Sequence, residues 1–154
     1  MRRFLGLFVI LVPSVVFSQV AVNKTKKEIM AAWKADSKVA ARCKSPFVAS
    51  DSTLSIKIAC PGQTSYTRYT YRFDKTGKCQ SEKIAGNGDS TMKEALTRVL
   101  AIESYNWQKI NENQYVSDFD SRLMVEFPPD NTEHSFTILR MDWSHELYDL
   151  LMKK

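Results

Sequence analysis

The sequence predicts an α+β fold: one antiparallel sheet of about seven to eight strands with helices packed on it, in the order α-β4-α-β4-α. Three observations carry this expectation. Residues 66–79, YTRYTYRFDKTGKC, alternate strictly, with Thr67, Tyr69, Tyr71 and Phe73 on one side and Arg68, Thr70 and Arg72 on the other, as a half-buried strand does. Met92, Ala95, Leu96, Val99 and Leu100 follow the i, i+3, i+4, i+7, i+8 stripe of an amphipathic helix. The succession of one helix and four strands also occurs twice, over residues 24–86 and 90–154. The two halves share no residue-by-residue repeat, and their order fits either two similar α-β4 layers or one continuous sheet.

In chain order, Thr25-Lys26-Lys27-Glu28 is a capping box, in which Thr and Glu satisfy each other's backbone donors. Ile29, Met30, Ala32 and Trp33 then share a face, which predicts a helix over 26–35. A first strand is expected over 44–49, with Asp51-Ser52 as the turn after it. Leu54, Ile56, Ile58 and Cys60 alternate with polar residues until Pro61-Gly62. In the hairpin that follows, Asp74 opens a turn through its own backbone and Gly77 accepts a left-handed conformation. Placing every large apolar group on one side matches Leu54 with Phe73, Ile56 with Tyr71 and Ile58 with Tyr69; a slip by one would set isoleucines beside arginines. The Asp51-Ser52 turn likewise sets Phe47 opposite Ile56 and Cys43 opposite Cys60. Residues 79–84 make a fourth strand.

Thr91-Met92-Lys93-Glu94 reads as a second capping box, opening a helix that runs to about residue 103. Short strands are expected over 106–110, 114–117, 122–127 and 135–141. The last has apolar groups on both faces and so suits a central position. Ser144 caps a final helix with a narrow stripe of Leu147, Leu150 and Leu151. This order resembles that of small exported inhibitor and assembly-factor modules, a likeness of fold that carries no function.

Residues 1–18 read as a signal peptide and 19–154 as a single domain. Arg2 and Arg3 precede the apolar run FLGLFVILVPSVV, and Val16 and Ser18 stand at −3 and −1 before Gln19. The run is too short for a membrane span, which needs about 20 residues, so no span is expected after cleavage. A secreted or periplasmic location follows. Losing residues 1–18 removes two of the 22 basic residues and none of the 17 acidic ones, so the formal charge falls from +5 to +3. The remaining cations are scattered, with the densest group at Lys24, Lys26 and Lys27, which argues against a nucleic-acid surface.

Chemistry-bearing motifs are few. There is no GxSxG elbow, no GxGxxG and no phosphate-binding loop. His134 and His145 lie eleven apart, unlike zinc-ligand pairs. Asp118 and Asp120 lack the oxygen ladder and turn glycine of a calcium loop. No catalytic residue, metal site or cofactor is assigned. The leading expectation is an exported, non-enzymatic binding or protein-interaction domain, with Lys57, Arg68 and Arg72 as its candidate surface. Tyr66, Tyr69, Tyr71, Phe73, Trp107 and Tyr115 offer either a ligand platform or a sheet core. Two further classes stand beside this one: a small exported hydrolase built from Asp118, Asp120, His134 and His145, and a structural component of the envelope.

The three cysteines, Cys43, Cys60 and Cys79, allow at most one internal bridge. The inferred pairing favours Cys43–Cys60. Cys79 lies at the far end of the sheet, roughly 20 Å away, beyond the Cα separation of about 7 Å that a disulfide spans. Such a bridge would stabilise the fold by roughly 3 kcal/mol in the chain-entropy model. Alkylation of the native oxidised protein followed by intact-mass measurement should therefore add a single label. Three labels would remove the bridge.

Overall fold

The computed structural model describes residues 20–35, 47–59, 62, 64–128 and 134–153. Helix α1 (Lys26–Ala35) precedes strands β1 (Phe47–Ala49), β2 (Thr53–Ala59), β3 (Tyr66–Phe73) and β4 (Cys79–Gly86). Helix α2 (Asp89–Leu100) and a 3-10 turn (Glu103–Tyr105) follow. Then come β5 (Gln108–Asn111), β6 (Gln114–Val116), β7 (Leu123–Glu126), β8 (His134–Arg140) and helix α3 (His145–Met152). The eight strands form one antiparallel sheet in the order β1-β2-β3-β4-β8-β7-β6-β5. Each half is a four-stranded meander, and the two meet through their last strands, β4 and β8. The fold is thus α+β with one continuous sheet, and β8 takes the central place that its two apolar faces require.

Local chemistry explains the boundaries. The capping box at α1 forms: the backbone N–H and hydroxyl of Thr25 both donate to Glu28 Oε2, at 2.6 and 2.7 Å. At α2 the expected box does not form. The helix begins three residues earlier, at Asp89, with Gly88 as an N-cap that makes no side-chain bond, so Thr91 and Glu94 fall within its opening turns. It also ends at Leu100, short of the expected 103, because the chain tightens into the 3-10 turn. At α3, Ser144 caps as expected by accepting from the Leu147 N–H at 3.3 Å.

In the β3–β4 turn, Asp74 Oδ1 accepts from Thr76 N, Thr76 Oγ1 and Lys78 N at 2.8, 2.6 and 3.1 Å. Gly77 takes the left-handed φ of 76° that the turn needs. Arg140 on β8 reaches across to Asp74 Oδ2. These bonds hold the Asp74 carboxyl well below its ordinary range, the Thr76 hydroxyl most of all.

The β2–β3 register differs from the expected one. Leu54 pairs with Tyr71, Ile56 with Tyr69 and Ile58 with Thr67, a shift of two residues. A two-residue shift keeps every side chain on its face, so alternation specifies the face and leaves the register to the connections. Phe73 N donates to the Ser52 carbonyl at 2.9 Å. The Phe73 side chain pairs across a bulge with Cys79 and lies beneath the Lys26 ammonium. The β1–β2 register is the expected one, with Phe47 opposite Ile56. Residues 44–46, Cys43 and Cys60 lie outside the described residues, and the Cys43–Cys60 pairing with them.

Both α1 and α2 cover the same face of the sheet. Beneath α1, Ile29 and Trp33 pack with Leu54, Ile56, Tyr71, Phe73 and Cys79. Beneath α2, Met92 and Ala95 pack with Ile84, Leu123, Val125, Phe136 and Ile138. Tyr69 touches both clusters. Segment 20–24, which turns at Val22-Asn23 with the Lys24 N–H bonded to the Ala21 carbonyl at 3.0 Å, lies against both as a strap. Its Val20 and Val22 belong to the α2 cluster and its Ala21 to the α1 cluster. The leucine stripe of α3 does not reach this core, for Leu147 and Leu150 are 50% and 65% exposed. The helix is tied instead by Tyr148, whose hydroxyl donates to the Ser117 carbonyl at 3.0 Å and whose ring packs on Trp143.

Gly86 closes β4 beneath α2. A Cβ there would stand 2.7 Å from the Tyr66 carbonyl oxygen and 3.0 Å from Met92 Cε. The Met92 methyl can move aside, whereas a backbone carbonyl cannot do so cheaply. Gly86→Ala should destabilise the protein by about 1–3 kcal/mol, read as a lower urea midpoint with an unchanged denaturant slope.

Candidate functional site

The face away from α1 and α2 carries the candidate surface. On it stand Ser55 and Lys57 from β2, Arg68, Thr70 and Arg72 from β3, Ser81 and Lys83 from β4, and Thr137 from β8, as the strand registers require. Lys57 and Arg68 are direct cross-strand partners. Both stand over the Tyr66 ring, at 4.4 and 5.7 Å from its centroid. Lys57, Arg68 and Arg72 are exposed, and among the described residues none of the three has a salt-bridge partner. No carboxylate shares this face on β2, β3 or β4. Glu126 on β7 is reached only two strands beyond Lys83, and it accepts from Gln114 at 3.2 Å.

Like charges directly opposite one another cost roughly 0.2–1 kcal/mol. A cation over an exposed aromatic ring returns about 0.5–1 kcal/mol. The pair is therefore tolerated through Tyr66 rather than neutralised. The result is a small platform of cations and hydroxyls centred on Thr70, open to a partner that brings negative charge.

The aromatic residues do not form one platform. Tyr71 is buried and Tyr69 nearly so, both on the helix-covered face, with Tyr71 accepting from Trp33 Nε1 at 3.0 Å. Burial pushes the Tyr69 phenol up to about 12. Tyr66 lies on the opposite face. Trp107 donates to the Val99 carbonyl at 3.0 Å, and Tyr115 packs edge-on against Phe127.

Asp118, Asp120, His134 and His145 are not brought together. His134 begins β8 and contacts Asp89 at the start of α2, Nδ1 to Oδ1 at 2.6 Å. His145 opens α3 beyond the far end of β8, stacked on Phe119 with ring centroids 3.6 Å apart. Asp118 accepts from the Ser121 N–H at 2.8 Å, in the loop before β7. The length of β8, roughly 20 Å, separates His134 from the other three.

The most perturbed carboxyl is one that the motif reading passed over. Glu82 is buried at 5% exposure in the middle of β4, on the helix-covered face with Tyr71 and Ile138 as its cross-strand partners. Its Oε2 accepts from the Ala21 N–H of the strap at 2.9 Å. Burial raises its carboxyl to about 7, against the pull of the Ala21 N–H, Lys24 and the Tyr71 hydroxyl. Alternation contained the signal: Glu82 shares its parity with Ile84, whose side chain has to face inward. Nearby, burial first and the Glu82 charge second push the Cys79 thiol up to about 12, which makes it a poor nucleophile.

No family model, no curated protein and no solved structure matches this chain. Among the described residues no helix is long and apolar enough to cross a membrane.

The position of Glu82 sets a pH dependence. Its folded-state value lies above the ordinary 4.5, near 7, so the folded protein holds more protons than the unfolded chain between these limits. Stability should fall by about 3 kcal/mol in total as pH rises through that window. Urea unfolding at half-unit steps from pH 4 to 8 should show this fall in the wild type, and Glu82→Gln should largely abolish it.

Proposed function

We propose that the protein is an exported, non-enzymatic interaction domain that receives an acidic protein surface on the face carrying Lys57, Arg68 and Arg72. The single observation behind this reading is the Lys57–Arg68 pair: two cations held directly opposite each other, with no carboxylate on the neighbouring strand positions to offset them. Charge complementarity governs encounter rate and partner choice, and the flat, hydroxyl-lined setting suits a polar protein surface. The described residues around the three cations are mostly hydroxyl-bearing, Thr53, Ser55, Thr70 and Ser81, with Tyr66 and Val48 as the apolar groups among them; so small an apolar area argues for protein over membrane, because interfacial binding draws on buried apolar area as well as charge. The leader pattern of residues 1–18 supports action in a periplasm or outside the cell.

A residue retained for binding at the expense of folding gives a distinctive signature. Arg68→Thr removes one of two opposed charges and supplies a β-former, so the urea midpoint should hold or rise. The same change should weaken capture of an acidic partner at least several-fold, and capture by the wild type should decline steeply with salt. A paired control, Lys93→Thr on α2, should leave capture unchanged. Equal capture by wild type and by a Lys57→Ser/Arg68→Thr/Arg72→Thr variant of native fold would overturn the assignment.

A further inference from the structure

The strap and Glu82 depend on each other. Val20, Ala21 and Val22 are 4%, 6% and 7% exposed, yet few backbone bonds hold the segment. The Ala21 N–H donates to Glu82, the Asn23 N–H donates to the Cys79 carbonyl at 2.8 Å, and the Lys24 carbonyl accepts from the Cys79 N–H at 2.8 Å; the Lys24 N–H closes a turn within the strap on the Ala21 carbonyl at 3.0 Å, and Arg140 adds one side-chain bond to Asn23 Oδ1 at 3.2 Å. The strands beneath it, by contrast, are held by full ladders on both sides. Structure secured by few hydrogen bonds opens locally at lower cost than the sheet under it.

The groups around the Glu82 carboxyl come from every packed element. Lys24 approaches from the strap, Tyr71 and Tyr69 from β3, Cys79 from β4 itself and Tyr105 from the 3-10 turn. β8 supplies Ile138 as the cross-strand neighbour, and α1 supplies Trp33, which donates to Tyr71. Arg98 of α2 and Arg140 of β8 stand farther out, toward Tyr69 and Cys79 respectively. Among the described residues Lys24 is therefore the one cation acting on the carboxyl itself, and it rides on the strap.

We propose that Glu82 and the strap form a pH-sensitive latch: the strap stays seated while Glu82 holds its proton, and lifts to let water reach the carboxylate once that proton is lost to solvent. Lifting the strap is the cheapest route to hydration, because the other elements over Glu82 belong to the sheet or to the packed helices. Burial raises the Glu82 carboxyl from 4.5 to about 7, so the seated state is favoured at low pH. Its advantage declines as pH climbs through that window and levels off above it. The opened strap would bare Cys79, whose backbone it bonds on both sides, and the groove between the two apolar clusters. This device is independent of the basic outer face.

Cys79 reports the opening. The purified exported protein and its Glu82→Gln variant are labelled with N-ethylmaleimide from pH 5 to 8.5, and Cys79 modification is followed by peptide mass spectrometry. Taking the ratio of wild-type to variant rates removes the thiol ionisation common to both, and the Glu82 charge, which pushes the wild-type thiol up, works only against the expected rise. That ratio should climb roughly tenfold per pH unit between 5 and 7 and then level off; a flat ratio overturns the latch. Should the variant fail to fold, amide exchange of the wild type serves alone. After correction for base catalysis, the opening free energy of the Ala21 N–H should fall over the same window and lie below that of the α2 amides, which follow the global stability. Constant Ala21 protection, or Ala21 and α2 amides sharing one opening free energy throughout, overturns it equally.

Discussion

A buried carboxyl bonded to a backbone amide sits at the seam between the two halves of this protein. Glu82 lies on β4, the last strand of the first half, across from Ile138 of β8, the last strand of the second. The Ala21 N–H that it binds belongs to a strap whose neighbouring valines pack under α2 and whose alanine packs under α1. A polar group at such a place has to be satisfied or it costs several kcal/mol. Seating the strap therefore does two things together: it closes the seam between the apolar clusters and it gives the carboxyl a partner. The Trp33–Tyr71 hydrogen bond extends the polar line into α1, so elements distant in sequence share one set of contacts.

With one face occupied by helices, strap and core, the outer face is left for display. That division follows from strand parity alone. The alternation that buries Leu54, Ile56 and Tyr71 turns Lys57, Arg68 and Arg72 outward. Stability and recognition therefore draw on different sides of the same strands. An outward charge is free to be poorly compensated, as Lys57 and Arg68 are, without disturbing the packing beneath.

Much of this was legible in the sequence. The YTRYTYRF alternation, the Asp74–Gly77 turn, the Thr25–Glu28 cap and the stripe of α2 each rest on interactions within a few residues, and each formed as expected apart from the α2 cap. Less was legible where the outcome depended on remote partners. Alternation gave the face of β2 but not its register, since a two-residue shift leaves burial unchanged. Leu147 and Leu150 have helical spacing, yet α3 is anchored through Tyr148 and Trp143, and the stripe faces out. The joining of β4 to β8 is a pairing about fifty residues apart in sequence, beyond any local pattern. No local pattern marks residues 20–22 as buried, because their burial comes from both clusters at once. Glu82 stayed hidden for the same reason: its parity placed it inward, but its partner lay 61 residues away.

The central claim, that an almost fully buried Glu82 carboxyl sits at the seam between the halves, is most directly tested by its own titration. Carbon-detected NMR of the labelled Glu82 side chain in the native protein should give a midpoint near 7. A midpoint near the ordinary 4.5 would show a solvated side chain and contradict the account.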